Sequence, residues 1–141
     1  MPSIHYQRLA SELLPLANKF YKSQRSPMRV GRSEQVWVAQ QAGIIAACCL
    51  KPVADGHWLT ALLVAREQRQ QGIASQLLNE LRAHSQGPIW LFCAPELLSF
   101  YQRQGFPACP ALPSELTERL LRYRRKQPLS PLATARAMLR L

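Results

Sequence analysis

At residues 62–75 the sequence reads LLVAREQRQQGIAS, which passes from an apolar strand through a short polar turn into a helix. The first turn of a helix leaves backbone N–H groups unpaired and carries a partial positive charge. Gly72 and Ala74 leave room for an anion to approach these groups, and Arg69 adds a cation beside them. The pattern favours a phosphate-binding turn, while a plain strand-to-helix turn that happens to contain a glycine remains the alternative.

Hydrophobic periodicity on either side of this turn predicts the element order β-α-β-β-β-α-β-α. Strands are expected over 3–9, 35–40, 44–51, 57–65 and 89–93, helices over 11–24, 72–84, 95–104 and 115–126, and a last short strand within 132–140. The near-continuous apolar run of the fourth strand indicates burial on both faces. In the first helix, the predicted buried face consists of Leu13, Leu16, Ala17 and Phe20.

The strand–helix–strand unit at 57–93 implies a parallel pair with a right-handed crossover, whereas the hairpins before it are antiparallel. The predicted fold class is therefore α+β, with a mixed, mostly antiparallel, twisted sheet and flanking helices.

Length and composition limit the classes of protein to which the chain can belong. With 141 residues and 48% hydrophobic residues, the chain is expected to fold as one domain over 1–141. No apolar run approaches the roughly 20 residues that a membrane span needs, and the N-terminus lacks a secretory pattern, so we expect a cytoplasmic protein without a membrane partner. The four cysteines, Cys48, Cys49, Cys93 and Cys109, lack metal-ligand spacing and are expected to be reduced, with no metal bound.

Charge is concentrated at the two ends of the chain. The net charge is +10, of which residues 1–32 carry +5, residues 33–116 carry −1 and residues 117–141 carry +6. Such a distribution favours anionic partners, although a merely basic surface is the alternative. The cluster of Arg119, Arg122 and 124–126 is expected to be a solvated helix face, and binding of the CoA 3′-phosphate or of an acidic substrate is the alternative.

Two short motifs make the sequence similar to the GNAT acetyltransferase superfamily. Residues 69–74, RQQGIA, fit the family's (Gln/Arg)-x-x-Gly-x-(Gly/Ala) motif. Residues 100–106, FYQRQGF, resemble its aromatic-Tyr-x-x-x-Gly-Phe element. The two motifs are independent and occur in the family's order, so the resemblance covers 3–106 and leaves 107–141 as a divergent C-terminal part without an evident final hairpin.

The resemblance implies a fold, a cosubstrate and an activity. The central parallel strands would splay apart to admit acetyl-CoA, and the reaction would be direct attack of a primary amine on the thioester, without a metal. Tyr101 would be the general acid that protonates the leaving thiolate. The cofactor-binding residues that it implies are Leu62, Leu63, Val64, Arg69, Gln70, Gln71, Gly72, Ile73, Ala74 and Ser75.

The sequence also departs from the family's pattern. Ala94 stands where many members carry an Asn, and the fifth strand has no carboxylate, so the general base is unassigned. Glu96, His57 and Glu34 are candidates by residue type, and a chain of waters is another. These departures leave open a non-catalytic module that senses CoA or binds nucleic acid through its basic ends, although few aromatics lie among the basic residues.

An apolar C-terminal tail provides a hypothetical contact for a homodimer. The tail residues are Leu129, Leu132, Met138, Leu139 and Leu141. Because such side chains gain free energy when they leave water, they could pack on a partner chain. The acceptor amine itself is not identified by the sequence.

Overall fold

The computed structural model describes residues 3–107, 112–126 and 136–140. The chain forms two compact units, of which the first comprises Met1–Lys51 and Leu59–Gln86 and the second comprises Pro52–Trp58 and Gly87–Leu141. Strand β4 begins in the second unit and continues in the first.

The described residues form six strands and four α-helices. The strands are β1 (His5–Arg8), β2 (Gln35–Gln40), β3 (Ile44–Val53), β4 (Gly56–Val64), β5 (Ile89–Cys93) and β6 (Arg136–Arg140). The α-helices are α1 (Leu14–Ser23), α2 (Ile73–His84), α3 (Leu98–Arg103) and α4 (Ser114–Lys126). One-turn 3₁₀ segments precede α1 and α3, and another follows β4. All predicted strands and helices are therefore present within a few residues of their expected bounds.

In the first unit the strands lie in the order β1-β2-β3-β4. The pairing of β1 with β2 is antiparallel, with His5 opposite Gln40 and Arg8 opposite Trp37. The hairpin of β2 and β3 is also antiparallel and contains an irregularity at Ala39 and Gln40. One buried cluster joins α1, β2, β3 and the end of β4, and it consists of Leu9, Ala17, Phe20, Tyr21, Val36, Val38, Ala47, Cys49 and Ala65.

The buried face of α1 differs from the predicted one. Ala17, Phe20 and Tyr21 are buried, while Leu13 and Leu16 are 43% and 45% exposed. A 3₁₀ turn occupies Ser11–Leu13, and the α-helix begins only at Leu14. Leu16 and the buried residues all lie within the α-helix, so the observed face is the predicted face turned about the helix axis toward Tyr21, and packing on β2 and β3 selects it.

Burial along β4 is likewise different from the expectation. Trp58 and Leu59 are buried, but residues 60–64 are only half-buried, so burial on both faces holds for the first part of the strand alone. Ala61 lies inside this half-buried part and has a left-handed φ of 56°. A positive φ departs from regular strand geometry, as one residue of some β-bulges does, and turns the neighbouring backbone groups in a new direction. We call this left-handed position, Ala61, the bulge of β4.

In the second unit the strands lie in the order β4-β5-β6. The start of β4 approaches the start of β5 closely, since the His57 N–H donates to the Pro88 carbonyl at 2.9 Å. A Cβ on Gly56 would lie 2.1 Å from that same carbonyl oxygen, so only glycine fits there. The connection through α2 makes β4 and β5 parallel, and the sheet is mixed, as predicted.

The C-terminal part of the chain, in which no final hairpin was evident from the sequence, contains strand β6. Strand β6 pairs antiparallel with β5 along its whole length, with Ile89 opposite Arg140 and Cys93 opposite Arg136. A short last strand was predicted within 132–140, and the structure confirms it. The other tail positions named for dimer contacts, Leu129, Leu132 and Leu141, lie outside the described residues. A single domain over 1–141 and the splay of the central strands stay predictions.

Helix lengths also bear on membrane association. Within residues 3–107, 112–126 and 136–140, we find no helix with the length and apolar character needed to traverse a bilayer.

Candidate functional site

The turn that follows β4 is held at both of its ends by backbone hydrogen bonds. At the strand end, the Ala65 N–H donates to the Ile45 carbonyl of β3 at 2.7 Å, and Ala65 is buried. Within the turn, the Gln68 N–H donates to the Ala65 carbonyl at 2.8 Å. At the helix end, the first intrahelical bond of α2 runs from the Gln76 N–H to the Gly72 carbonyl at 3.0 Å. The strand-to-helix turn predicted at 62–75 is therefore present and is rigidly connected to the sheet.

The N-terminus of α2 is open and carries no side-chain cap. Gly72 is the N-cap residue, with a left-handed φ of 77°, and it has no side chain that could cap the first turn. Among the described residues, no atom beyond its chain neighbours and its own helix lies within 4 Å of a Cβ added at Gly72. Gln70 is also left-handed, with φ 64°. Backbone turns of this kind direct successive N–H groups to one side and bind anions.

Side-chain burial shows how this turn is presented. Residues 69–72 are exposed, Ala74 and Ser75 are half-buried, and Ile73 is buried and fixes the helix to the core. The buried side chain of Ile73 therefore attaches the segment to the core, while residues 69–72 lie at the surface. We call residues 69–75 the cradle.

Arg69 occupies a position that the sequence did not reveal. Its Nε donates to the Val64 carbonyl at 3.1 Å, so the guanidinium lies across the end of β4. This bond uses one of the five N–H donors of the guanidinium. A ligand that paired with the Val64 carbonyl would share that oxygen with Arg69 or displace it, because a carbonyl oxygen accepts at most two hydrogen bonds.

A buried tyrosine holds the bulge in β4. The Tyr21 hydroxyl donates to the Ala61 carbonyl at 2.7 Å, and Tyr21 is fully buried. Alanine in the left-handed region costs about 1–2 kcal/mol, so this conformation needs support from its surroundings. The sequence reading missed both residues. The spacing of Ala17, Phe20 and Tyr21 fits one helix face, and that signal could have placed Tyr21 in the core.

The Cys49 thiol and the Tyr21 hydroxyl lie together in the core of the first unit, and Cys48 precedes Cys49 in β3. The Tyr21 Oη lies 3.7 Å from the Cys49 Sγ. Burial raises the pKa of Cys49 to about 11, and burial followed by the neighbouring Cys49 raises the pKa of Cys48 well above its ordinary range. Burial also raises the pKa of Tyr21, with the two thiols adding to the effect. These groups therefore stay protonated at neutral pH, which gives none of them a nucleophilic role.

Tyr101 lies in the second unit, on α3. Its ring is buried and contacts Phe100 and Phe106 edge-on, with centroids 5.0 Å and 6.0 Å away. The helix ends directly afterwards, where Gly105 takes a left-handed φ of 90° and the Phe106 N–H donates to the Tyr101 carbonyl at 3.0 Å. The second motif is thus a helix end that fixes one aromatic cluster. The structure leaves the role of Tyr101 as a prediction.

A comparison with protein families identifies the chain. Residues 32–107, more than half of the sequence, match the family model described as an acetyltransferase (GNAT) domain. This chain belongs to the GNAT acetyltransferase family. The matched residues include β4, the cradle and Tyr101, so both motifs that carried the resemblance fall inside the match. No curated protein matches the sequence at a significant level.

Solved structures of GNAT proteins share the fold. The GCN5 structure from Tetrahymena has a TM-score of 0.68 at 14% identity and covers 96% of this chain and 94% of its own. Arabidopsis thaliana Naa50, in complex with a bisubstrate analogue, has a TM-score of 0.66 at 16% identity, with 99% of each chain covered. N-acetylglutamate synthase from Neisseria gonorrhoeae, complexed with coenzyme A and N-acetyl-glutamate, has a TM-score of 0.65 at 13% identity, covering 99% of this chain and 35% of that one.

The three base candidates of this GNAT chain lie in different surroundings. The Glu34 carboxylate accepts a hydrogen bond from the Gly31 N–H and so supports the loop before β2. His57 is half-buried at the start of β4, and Glu96 is exposed in the turn before α3. None of these positions singles out a base.

Arg119 is not the solvated residue that was expected. Its guanidinium lies 4.8 Å from the Trp58 ring centroid, and it also pairs with Glu115 at 3.6 Å. Arg119 therefore packs on the core of the second unit, while Arg122 is exposed as predicted. The side chains of 124–126 lie outside the described residues. In the part of the chain that the structure describes, no group of three His, Cys, Asp or Glu side chains could hold a metal ion.

Proposed function

We propose that this GNAT protein is an acyl-CoA-dependent N-acyltransferase that moves an acetyl group from acetyl-CoA to a primary amine. The observation that carries the proposal is the open, uncapped N-terminus of α2 directly after a strand that ends in an irregular, half-buried segment. An uncapped N-terminus exposes backbone donors and a positive dipole to an anion, which suits the pyrophosphate of CoA. The family match supports the same cosubstrate class.

Each predicted residue then has a physical role in holding acetyl-CoA. The N–H groups of Gln70 to Ser75 would bind the pyrophosphate, with Gly72 allowing close approach because it has no side chain. Arg69 would neutralise phosphate charge after leaving the Val64 carbonyl. The backbone of Leu62 to Val64 would pair with the pantetheine arm as an added strand does.

The proposed chemistry follows from a neutral amine and a thioester. The amine nitrogen attacks the acetyl carbonyl carbon, a backbone N–H near Val64 stabilises the oxyanion, and the carbon–sulfur bond then breaks. Tyr101 would donate its phenolic proton to the departing thiolate, and the amine would lose its proton to water or to a base that stays unassigned. The products are an N-acetylated amine and CoA.

The first test is calorimetric titration of acetyl-CoA into the wild type and a Gly72→Glu variant. A carboxylate at this position would occupy the cradle and repel the pyrophosphate, so we expect wild-type binding in the micromolar range and its loss in the variant. Because φ at Gly72 is positive, any side chain there is strained. Gly72→Ala separates that strain from the repulsion and is expected to keep most of the affinity.

A matched control places the same side chain on another open glycine. Gly43 has φ 121° in the turn between β2 and β3, and a Cβ there also meets nothing within 4 Å among the described residues. Gly43→Glu should bind acetyl-CoA as the wild type does. A folded wild type that binds neither CoA nor acetyl-CoA would contradict the proposal. Tight CoA binding without transfer to any amine would favour the non-catalytic module instead.

A further inference from the structure

We propose that Tyr21 is a positioning residue for acyl transfer, because its hydroxyl holds the bulge of β4 from which the oxyanion-stabilising backbone N–H is presented. This inference rests on the proposed function and adds to it a residue outside both sequence motifs. Tyr21 is not one of the predicted acetyl-CoA-binding residues. It acts through Ala61, which directly precedes residues 62–64.

The hydrogen bond joins a rigid donor to a strained acceptor. Tyr21 has no exposed surface, and its hydroxyl donates to the Ala61 carbonyl at 2.7 Å across 40 positions of the sequence. Ala61 has φ 56°, a conformation that alanine seldom adopts. A buried carbonyl without a partner is unfavourable, so this bond favours the bulged conformation over a regular strand.

The segment between Ala61 and Ala65 is fixed at both ends and loosely packed between them. At its far end the Ala65 N–H donates to the Ile45 carbonyl at 2.7 Å. At its near end, the Tyr21 hydroxyl donates to the Ala61 carbonyl and so holds the segment in place. Residues 62–64 are half-buried, so packing alone constrains them less than it does the core. Together with the pairing of β4 with β3, these two hydrogen bonds therefore fix the segment that carries the N–H groups of residues 62–64.

The surroundings of Tyr21 favour one orientation of its hydroxyl. Phe20 contacts its ring, with centroids 5.7 Å apart, and the Cys49 Sγ lies 3.7 Å from the Oη. Sulfur is a weak acceptor, so the Ala61 carbonyl is the better partner for the hydroxyl proton. Burial raises the pKa of Tyr21, which keeps that proton in place across the physiological pH range.

The test begins with Tyr21→Phe, which keeps the ring and removes the hydroxyl. Loss of one oxyanion-hole donor lowers kcat by about 10²–10³, and a displaced donor should cost less, so we expect kcat to fall by about tenfold. The KM for acetyl-CoA should change by less than about twofold, since the cradle is untouched. Backbone amide hydrogen exchange of residues 61–64 should become faster in the same variant.

Phe20→Leu is the matched control for a merely structural role. Phe20 is buried next to Tyr21 on the same helix, and the substitution removes ring packing but no hydrogen bond. We expect it to lower stability while kcat of the folded protein stays within about twofold of wild type. An equal loss of kcat in both variants would overturn the proposal, because the effect would then follow stability.

Ala61→Gly gives a second, independent readout. Glycine accepts a positive φ without strain, so the bulge should persist in that background without the hydroxyl. Removing the hydroxyl should therefore lower kcat less in Ala61→Gly than in the wild type, for example about threefold instead of about tenfold. Identical effects in the two backgrounds would overturn the proposal, because they would show that the hydroxyl does not act through residue 61.

The readouts separate failure of this inference from failure of the proposed function. A wild type that transfers acetyl groups, with a Tyr21→Phe variant of unchanged kcat, overturns the inference alone. Unchanged amide exchange at 61–64 in Tyr21→Phe overturns it even if no acceptor amine is found. A wild type that fails to bind acetyl-CoA overturns the proposed function, and the positioning role of Tyr21 with it.

Discussion

Tyr101 is buried among aromatic rings at the end of α3, which gives its ring one orientation. A general acid needs such a fixed position because proton transfer depends on short, aligned contacts. We expect Tyr101→Phe to lower kcat by about 10²-fold or more while the affinity for acetyl-CoA is retained. Steady-state kinetics together with calorimetric titration would measure the two effects separately.

Tyr6→Phe is a suitable comparison for Tyr101→Phe, since it removes the same hydroxyl from a half-buried position on β1. It should leave kcat unchanged. If Tyr101→Phe turned over as fast as the wild type, Tyr101 would have no part in the mechanism.

Cys49 makes stability depend on alkaline pH. Burial raises its pKa to about 11, whereas a thiol in the unfolded chain titrates near pH 8.5. Between these values the unfolded chain releases a proton that the folded protein keeps, so stability falls as pH rises through this window. From pH 8 to pH 10 we expect Cys49 alone to lower the free energy of unfolding by about 2 kcal/mol.

Urea unfolding of the wild type and Cys49→Ala at both pH values would check this dependence. The variant lacks the thiol, so its loss of stability between pH 8 and pH 10 should be smaller by about that amount. Cys48 and Tyr21 remain in both proteins, and although Cys49 adds to the raised pKa of each, burial is the larger cause, so their contributions change little between the two proteins. Equal losses in the two proteins would contradict the assignment.

At the scale of single elements, a leucine on α1 and a leucine on α2 differ in burial. Leu81 on α2 is fully buried, whereas Leu16 on α1, which was predicted to face the core, is 45% exposed. Leu81→Ala should lower the free energy of unfolding by about 2–5 kcal/mol, because it leaves a cavity. Leu16→Ala should change it by no more than about 0.5 kcal/mol.

Chemical denaturation of the two leucine variants would measure this difference directly. The same chemical change is made in two helices of one unit, so the contrast reports burial alone. Similar losses from both substitutions would mean that Leu16 packs on the core and that the sequence-based face was right.

At the scale of the whole molecule, the charge distribution distinguishes two classes of function. The net charge of +10 attracts any polyanion at low salt, and such binding weakens steeply as counterions compete. A cradle of directed backbone donors depends less on net charge. We therefore expect acetyl-CoA binding to persist at about 200 mM salt, while binding of a single-stranded oligonucleotide, if detected at about 50 mM, is lost.

Fluorescence anisotropy with a labelled oligonucleotide, beside calorimetry with acetyl-CoA, would compare the two ligands at both salt concentrations. Micromolar oligonucleotide binding that survives at the higher salt would favour the nucleic-acid-binding alternative. It would also give the exposed arginines, such as Arg122, a role that the proposed transferase does not need.

The sequence by itself determined the features that depend on local order along the chain. The apolar periodicity of Ile73, Leu77 and Leu81 specifies α2, and Gly72 before it specifies an open helix start, because these signals act within a few residues. The two family motifs are equally local. For the same reason the strands at 35–40 and 89–93 were predicted with their observed bounds.

Only the tertiary structure decided which groups meet across the chain. The face of α1, the positive φ of Ala61 and the bond that Tyr21 donates to it depend on packing between elements distant in sequence. The bond from Arg69 to the Val64 carbonyl likewise depends on the shape of the turn. Secondary-structure propensity depends on a residue and its neighbours along the chain. A strained backbone conformation, in contrast, is stable only when buried residues that are distant in sequence support it. That is why the cradle could be read from the sequence and the hydrogen bond that holds the strand beside it could not.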